Sequence, residues 1–293
     1  MSAPVRSALW MSGAMVSFML MAISGRELAG RLDTFEIMFF RSLIGIGIVV
    51  GACAWSGTLN RISSRRFGLH VIRNAFHFLG QNLWLYAVTV IPLSQLFAFE
   101  FSTPLWVALF APLFLAERLT ATRLLAAGLG FAGVLMIARP GTAPITPGII
   151  AAGFCAVGFA GAVIATKLLS RTESIASILF WLVAMQAVFG LVAAGADLQM
   201  RLPQTDDLIW VFLIGLCGLA AHFCMTKALT LAPATVVGPL DFLRLPLIAV
   251  VGYLLYDEPA ELLVFAGAIV VFGANYLNVR AEHRSLARKT AVS

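Results

Sequence analysis

The chain has 293 residues, of which 60% are hydrophobic and only 12% are charged, and its formal net charge is +6. A soluble domain carries about 25% charged residues, so this composition excludes a water-soluble protein and indicates a polytopic membrane protein. The four cysteines lie in apolar stretches and match neither a disulfide framework nor a zinc spacing. We therefore expect neither a metal nor a cofactor.

A transmembrane helix needs about 20 consecutive, mostly apolar residues. The sequence predicts an all-α membrane protein with ten such helices, joined by short connections that leave no room for a soluble domain. The predicted transmembrane helices cover residues 7–24, 35–55, 69–89, 94–115, 122–138, 147–167, 174–195, 208–229, 234–256 and 261–279.

Lys and Arg are distributed unevenly between the two sets of connections. If the N-terminus lies in the cytoplasm, the inner segments hold 14 of these residues and the outer segments hold 4. Positive residues accumulate on the cytoplasmic side, so the distribution predicts a multi-pass protein of the plasma (inner) membrane with both termini inside. The basic tail after Arg280 can lie on anionic lipid. The positive charge thus indicates the lipid bilayer as a partner, and no nucleic acid.

Two long apolar segments, residues 91–117 and 232–258, resemble copies of each other. With a shift of 141 residues, Glu100 of the first segment falls on Asp241 of the second. A carboxylate near the middle of a membrane helix is costly, so each acid indicates a functional site. Finding both at matched positions of two half-chains is typical of a transporter built from internal repeats.

Five predicted helices in each half mean that the halves cross the membrane in opposite directions. The sequence therefore predicts two inverted five-helix repeats. We expect the first repeat to cover residues 1–139, the second to cover residues 140–280, and a basic cytoplasmic tail to cover residues 281–293.

Each acid has an arginine at a similar predicted depth. Arg244 follows Asp241 by three residues on the same helix face, and Arg41 lies at the level of Glu100. In one interpretation, Glu100–Arg41 and Asp241–Arg244 are buried ion pairs that hold the bundle in register. In the other, these groups face a wet central cavity and bind a charged or zwitterionic solute, or one acid takes up a coupling proton. A neighbouring arginine stabilises the ionised acid, which favours substrate binding over proton coupling.

The third predicted helix is unusually polar for a membrane segment. His77, Gln81 and Trp84 fall on one helix face, and the shift of 141 places Gln81 on His222 of the eighth predicted helix. We include these four residues in the predicted substrate site. The alternative is that the histidines only form hydrogen bonds between helices.

Prolines interrupt the two helices that carry the acids. Pro104 and Pro112 lie in the fourth predicted helix, and Pro239 and Pro246 lie in the ninth. Because proline removes a backbone hydrogen bond, these positions are either hinges for a moving carrier or static kinks.

The chain resembles the EamA family of the drug/metabolite transporter superfamily, and several residues carry this resemblance. They are Glu36, Phe39 and Arg41 at the second helix, Pro104 and Glu117 at the fourth, Gly128 and Gly133 in the fifth, and Pro239, Asp257 and Glu258 around the ninth. The resemblance covers nearly the whole chain. It implies a solute carrier with a central cavity between the halves, for amino acids, nucleotide-like metabolites such as S-adenosylmethionine, vitamins such as riboflavin, metallophores or drugs.

Other classes of membrane protein fit the sequence less well. An intramembrane enzyme would depend on His77 and His222 alone, since the chain has no H-E-x-x-H motif. The chain has no potassium-channel filter sequence, which argues against a channel. It also lacks a phosphate-binding loop, which argues against an ATP-driven pump. We therefore expect a secondary active transporter that works as a monomer, is not an enzyme, and moves a small polar or amphipathic metabolite by alternating access. A facilitative exchanger is the alternative mechanism.

Overall fold

The computed structural model describes residues 3–115, 121–139, 144–196, 198–231, 240–259 and 261–290. Every regular element among these residues is helical, which confirms the all-α class. The helices are α1 (Ala3–Glu27), α2 (Thr34–Trp55), α3 (Phe67–Val90), α4 (Leu93–Glu100), α5 (Thr103–Leu115), α6 (Ala121–Ala138), α7 (Pro147–Leu169), α8 (Ile175–Ala194), α9 (Leu208–Leu231), α10 (Arg244–Tyr256) and α11 (Leu262–Thr290). Two 3-10 turns, Leu59–Arg61 and Thr205–Asp207, precede α3 and α9.

Six segments among the described residues are long and apolar enough to cross a membrane, which makes the chain a multi-pass membrane protein. They are Val5–Glu27, Thr34–Trp55, Leu93–Phe114, Pro147–Leu169, Ile175–Ala194 and Thr205–Ala228. Leu124–Ala138 and Leu262–Leu277 are shorter apolar helices. The helix α3 is 24 residues long but buries many polar side chains, so it is less apolar than the others. Length and composition alone therefore give fewer spans than the predicted ten.

Polar caps define where several helices begin. The Asp33 side chain accepts hydrogen bonds from the first turn of α2, and Glu36 accepts the Asp33 N–H at 2.8 Å, which forms a capping box. Thr146 caps α7 ahead of Pro147, and Ser174 caps α8. These caps satisfy N–H groups that the first turn of a helix cannot pair internally.

The helix starts repeat along the chain. In the first half, α2, α3, α5 and α6 begin at Thr34, Phe67, Thr103 and Ala121. In the second half, α8, α9, α10 and α11 begin at Ile175, Leu208, Arg244 and Leu262, each 141 residues after its counterpart. The shift that relates the two acidic segments therefore relates the secondary structure of both halves.

Helix packing follows the same symmetry. The helix α1 packs along α9, and α3 packs along α7. Because α1 corresponds to α7 and α3 corresponds to α9, each of these contacts is the repeat counterpart of the other. The helices α2 and α6 pack on their own counterparts, α8 and α11. At the α6–α11 contact, a Cβ added to Gly133 would lie 2.7 Å from the carbonyl oxygen of Gly267. Small residues thus bring the two halves into backbone contact.

The predicted fourth transmembrane helix is broken at its acid. The helix α4 ends at Glu100 and α5 begins at Thr103. Pro104 has no N–H to donate to the Glu100 carbonyl oxygen, so the helix opens there. Asn275 of α11 donates a 2.7 Å hydrogen bond to the Phe101 carbonyl oxygen, which the break also leaves without a helical partner. The proline therefore interrupts the helix, whereas α5 continues through Pro112.

The second half has a break at the matching place. Residues 240–242 are helical, Leu243 is a turn, and α10 begins at Arg244. Pro246 cannot donate to the carbonyl oxygen of Phe242, which explains the opening. Each predicted acid therefore lies at the end of a helical segment, where a proline cannot supply one of the helical hydrogen bonds.

Candidate functional site

A buried cluster of charges lies at the two helix breaks. Arg244 Nη2 donates a 3.1 Å hydrogen bond to Glu100 Oε1 and lies 3.6 Å from Asp241 Oδ2. The Arg244 side chain is only 3% exposed, whereas the two acids keep 16% and 20% of their surface. Trp84 Nε1 donates to the other Glu100 oxygen at 2.7 Å. One cation is therefore shared between two carboxylates, and the cluster carries an excess negative charge.

Aromatic rings surround the cation of this cluster. The guanidinium carbon of Arg244 lies 4.4 Å from the ring centre of Phe18, 4.9 Å from that of Phe97 and 5.0 Å from that of Phe101. A desolvated cation on an aromatic face gains about 2 kcal/mol. The rings of α1 and α4 thus help to hold Arg244 where little water reaches it.

The cluster retains unused hydrogen-bonding capacity. Asp241 Oδ1 and Arg244 Nε and Nη1 are buried, and within the described part of the chain they have no hydrogen-bond partner. Buried polar atoms are normally paired, and exceptions require an explanation. The unpartnered atoms of Asp241 and Arg244 lie beside the helix breaks. Unpaired polar atoms next to interrupted helices are a suitable environment for a polar ligand.

A second polar group lines a crevice between α2, α3, α8 and α9. Its polar side chains are Arg41, Ser42, His77, Gln186 and His222. The enclosed space measures about 20 Å³, which is room for about one water molecule. The crevice is therefore too small in this structure to hold a metabolite.

The crevice lies between equivalent surfaces of the two halves. The shift of 141 residues pairs several of its lining residues with one another. The pairs are Arg41 with Leu182, Ser42 with Val183, Gly45 with Gln186, and His77 with Gly218. A cavity lined by both members of such pairs lies on the axis that relates the two repeats. Carriers built from such repeats bind their solutes at this position.

Phe18 connects the crevice to the charge cluster. Its ring face lies under Arg244, and its ring also contacts His222 in an edge-to-face arrangement at 5.6 Å between centroids. His222 is exposed, whereas His77 is buried among the helices. Both polar groups therefore contact the ring of Phe18.

The structure brings most of the predicted site residues together. Glu100, Asp241, Arg244 and Trp84 form the charge cluster, and Arg41, His77 and His222 line the crevice. Gln81 is buried on α3 between His77 and Trp84, with no hydrogen-bond partner for its Nε2 among the described residues. Two residues of the family resemblance, Glu117 and Pro239, lie outside the described residues.

The predicted pairing of Glu100 with Arg41 is wrong, whereas that of Asp241 with Arg244 is confirmed. Arg41 lies against α9, where a Cβ added to Gly218 would be 3.3 Å from Arg41 Nη2. The missing side chain at Gly218 leaves space for the guanidinium on that side. Glu100 instead meets Arg244 because α4 packs on α10.

Two residues beside the predicted site residues, Gln186 and Phe18, were not predicted from the sequence. Gln186 carries an amide in the middle of the otherwise apolar α8, and that polarity was a usable signal. Nothing in the sequence distinguishes Phe18 from the other phenylalanines, of which the chain has 22 in all. Its position beside Arg244 depends on how the helices pack.

The repeated helices and the charged interface between the halves are the features of a membrane transporter. Comparison with known proteins agrees: the sequence model of the EamA-like transporter family matches residues 5–139 and again residues 146–280. The chain belongs to this family, and it is a transporter rather than an enzyme.

Two groups of relatives are named for different solutes. The chain is 27% identical to an S-adenosylmethionine uptake transporter of Rickettsia felis, over 96% of this chain and 94% of the relative. It is 31% identical to a riboflavin transporter of Brucella anthropi, over 84% of this chain and 88% of the relative. A solved crystal structure with 18% identity shares the fold, with a TM-score of 0.63 over 95% of this chain and 98% of that one.

Proposed function

We propose that this protein is a secondary active transporter that moves a small polar or amphipathic metabolite across the inner membrane by alternating access. The contact between Arg244 and Glu100 is the observation that carries the proposal, since it places an ion pair between α10 of the second half and α4 of the first. Charged residues within membrane helices mark solute and ion pathways, and carriers with inverted repeats bind at the repeat interface.

In the proposed topology the chain crosses the membrane ten times. The polar α3 and the shorter α6, α10 and α11 are added to the six long apolar segments. Five crossings in each half make the repeats inverted, with the first over residues 1–139 and the second over residues 140–280. The basic segment 281–293 and the N-terminus face the cytoplasm, so the start of α4 lies at the outer face.

Contacts between the halves close this outer face. Arg26 forms a 2.9 Å ion pair with Glu258 and donates a 2.8 Å hydrogen bond to the carbonyl oxygen of Ile91. Glu258 Oε2 accepts the backbone N–H of Leu93, at the N-terminus of α4, at 2.8 Å. We name Arg26, Ile91, Leu93 and Glu258 the outer latch. Alternating access requires the latch to open when the solute exchanges with the outer side.

The proposed substrate site comprises the eight predicted residues. They are Glu100, Asp241, Arg244, Trp84, Arg41, His77, Gln81 and His222. The unpartnered atoms of the charge cluster and the narrow crevice support this assignment, because both lie between the halves that would move. A single chain contains every residue of the proposed site, so a monomer suffices.

The test is transport by the purified protein in liposomes without ATP. The names of the relatives supply two probes, S-adenosylmethionine and riboflavin. We expect at least one labelled probe to enter protein-containing liposomes faster than protein-free ones, and to exchange against the same unlabelled probe inside. Failure of both probes in uptake and in exchange would contradict the proposal.

A facilitative exchanger is the second candidate mechanism. Arg244 contacts both carboxylates, so neither acid of the charge cluster lacks a cationic partner. Proton coupling is tested by imposing a pH gradient across the liposome membrane with no other driving force. Accumulation of the probe above its external concentration identifies protons as the coupling ion, and simple equilibration identifies a facilitator.

A further inference from the structure

Arg41 carries a charge that no carboxylate in the described part of the chain neutralises. A guanidinium stays protonated in proteins, and intramembrane arginines usually pair with an acid. Arg244 pairs with two acids and Arg26 pairs with Glu258. Arg41 forms no ion pair among the described residues, and its Nη1 is buried there without a hydrogen-bond partner. An uncompensated cation inside the bundle is costly unless an anion joins it.

The surroundings of Arg41 favour an anion. The crevice that it lines contains His77, His222, Ser42 and Gln186, and no acid is among its lining residues. The Ser42 hydroxyl is already used, since it donates to the Met38 carbonyl oxygen at 2.6 Å. His77 Nδ1 has no partner within the described residues. Gln186 Nε2 already donates to the Asn74 carbonyl oxygen at 3.0 Å, so the ring N–H groups of His77 and His222 are the donors that can face an oxyanion.

Two glycines let α9 pack closely against Arg41. A Cβ at Gly218 would lie 3.3 Å from Arg41 Nη2, and a Cβ at Gly215 would lie 3.1 Å from the Arg41 carbonyl oxygen. The backbone of α9 thus approaches Arg41 closely without a side chain between them. Once the helices around the crevice separate, the planar guanidinium can bind a carboxylate through two parallel hydrogen bonds.

We infer that Arg41 binds the carboxylate of the transported solute, while the charge cluster receives its cationic part. This inference rests on the proposed transport function and names its substrate class, a zwitterion. The two poles have opposite sign, because Arg41 contributes an unpaired positive charge and the cluster contributes two acids to one Arg244. Phe18 contacts both Arg244 and His222, so one apolar ring adjoins both poles.

The test uses liposomes with the wild type, Arg41→Gln and Arg41→Lys, and labelled S-adenosylmethionine as the zwitterionic probe. Its decarboxylated form is the matched competitor, since it keeps the cation and lacks the carboxylate. We expect Arg41→Gln to reduce uptake by about tenfold or more, the loss expected for a charged hydrogen bond, and Arg41→Lys to retain part of it. The decarboxylated compound should compete at least about tenfold more weakly than the unlabelled parent. Arg31→Gln is the control, because Arg31 pairs with Asp207 in a loop outside the site.

A second readout needs no solute. Removing an uncompensated buried charge should raise the thermal unfolding temperature of purified Arg41→Gln, whereas removing a charge with a structural partner lowers it. A lowered temperature overturns the inference whatever the solute. Equal uptake by Arg41→Gln, equal competition by the decarboxylated compound, or transport of riboflavin alone overturns the inference but leaves the transport function intact. If the wild type moves neither probe, the proposed function itself fails and the inference fails with it.

Discussion

Arg244 of α10 donates a 3.1 Å hydrogen bond to Glu100 of α4, a residue 144 positions earlier in the chain. The contact joins the two broken helices across the interface between the halves. Asp241 shares the same cation at 3.6 Å, and Trp84 binds the free oxygen of Glu100. The cluster therefore contributes to the relative position of the two halves.

Removing the shared cation should destabilise the protein more than removing either acid. Arg244→Gln leaves the partly buried Glu100 and Asp241 without a cation, which costs up to about 3 kcal/mol, and thermal unfolding in detergent should occur at a lower temperature. Glu100→Gln keeps an acceptor for Trp84 and leaves Arg244 paired with Asp241, so its loss should be smaller. A triple variant in which Arg244, Glu100 and Asp241 all become neutral should recover stability relative to Arg244→Gln. No recovery would contradict the shared pairing.

Opening the outer latch should expose the crevice to the outer side. Glu258→Ala removes the ion pair to Arg26 and the acceptor for the Leu93 N–H. We expect a cysteine placed at Ser42, in a background without the four native cysteines, to react several-fold faster with an impermeant thiol reagent added outside. Asp257→Asn is the matched control, because Asp257 forms no ion pair within the described residues. Equal reaction rates in both variants would show that the latch does not gate access.

The helix break at Glu100 should be required for transport but not for folding. Pro104→Ala restores an N–H that can donate to the Glu100 carbonyl oxygen, so α4 and α5 can join into one helix. We expect slower uptake with an unchanged or higher unfolding temperature. Pro112→Ala lies inside α5, where the helix is already continuous, and should leave uptake unchanged. If both variants transport at the wild-type rate, the break has no role in the transport cycle.

Close packing between the halves depends on Gly133. A Cβ there would lie 2.7 Å from the Gly267 carbonyl oxygen, so Gly133→Ala should cost about 1–3 kcal/mol of stability through overpacking. Gly128 lies on the same helix, and a Cβ added there has nothing within 4 Å. Gly128→Ala should therefore leave the unfolding temperature unchanged or raise it. Equal effects of the two substitutions would contradict the α6–α11 contact.

The repeat was predictable from the sequence because it depends on linear spacing. The shift that superposes Glu100 on Asp241 also relates the helix starts, and the pair Asp241–Arg244 follows from a spacing of three residues. The missing N–H of proline indicated Pro104 and Pro112 alike as hinges or kinks, and the helix is interrupted only at Pro104. Local rules of this kind can be applied without knowing which helices are neighbours.

The partner of Glu100 could not be predicted in the same way. Helical rise gives the depth of Arg41 in the membrane, but it does not give the direction in which that side chain points around its helix. The choice of Arg244 depends on the packing of α4 against α10, and the direction of Arg41 depends on the space at Gly218. Both outcomes depend on tertiary contacts between the halves. The same holds for the aromatic rings that contact Arg244.

Uptake by the double amide variant tests the central claim most directly. Glu100→Gln with Asp241→Asn keeps the size and hydrogen-bonding groups of both side chains but removes both negative charges. In liposomes containing equal amounts of folded protein, we predict that this variant moves the probe that the wild type transports at least about tenfold more slowly. Wild-type uptake by the double variant would contradict the assignment of the solute site to the charged interface between the two halves.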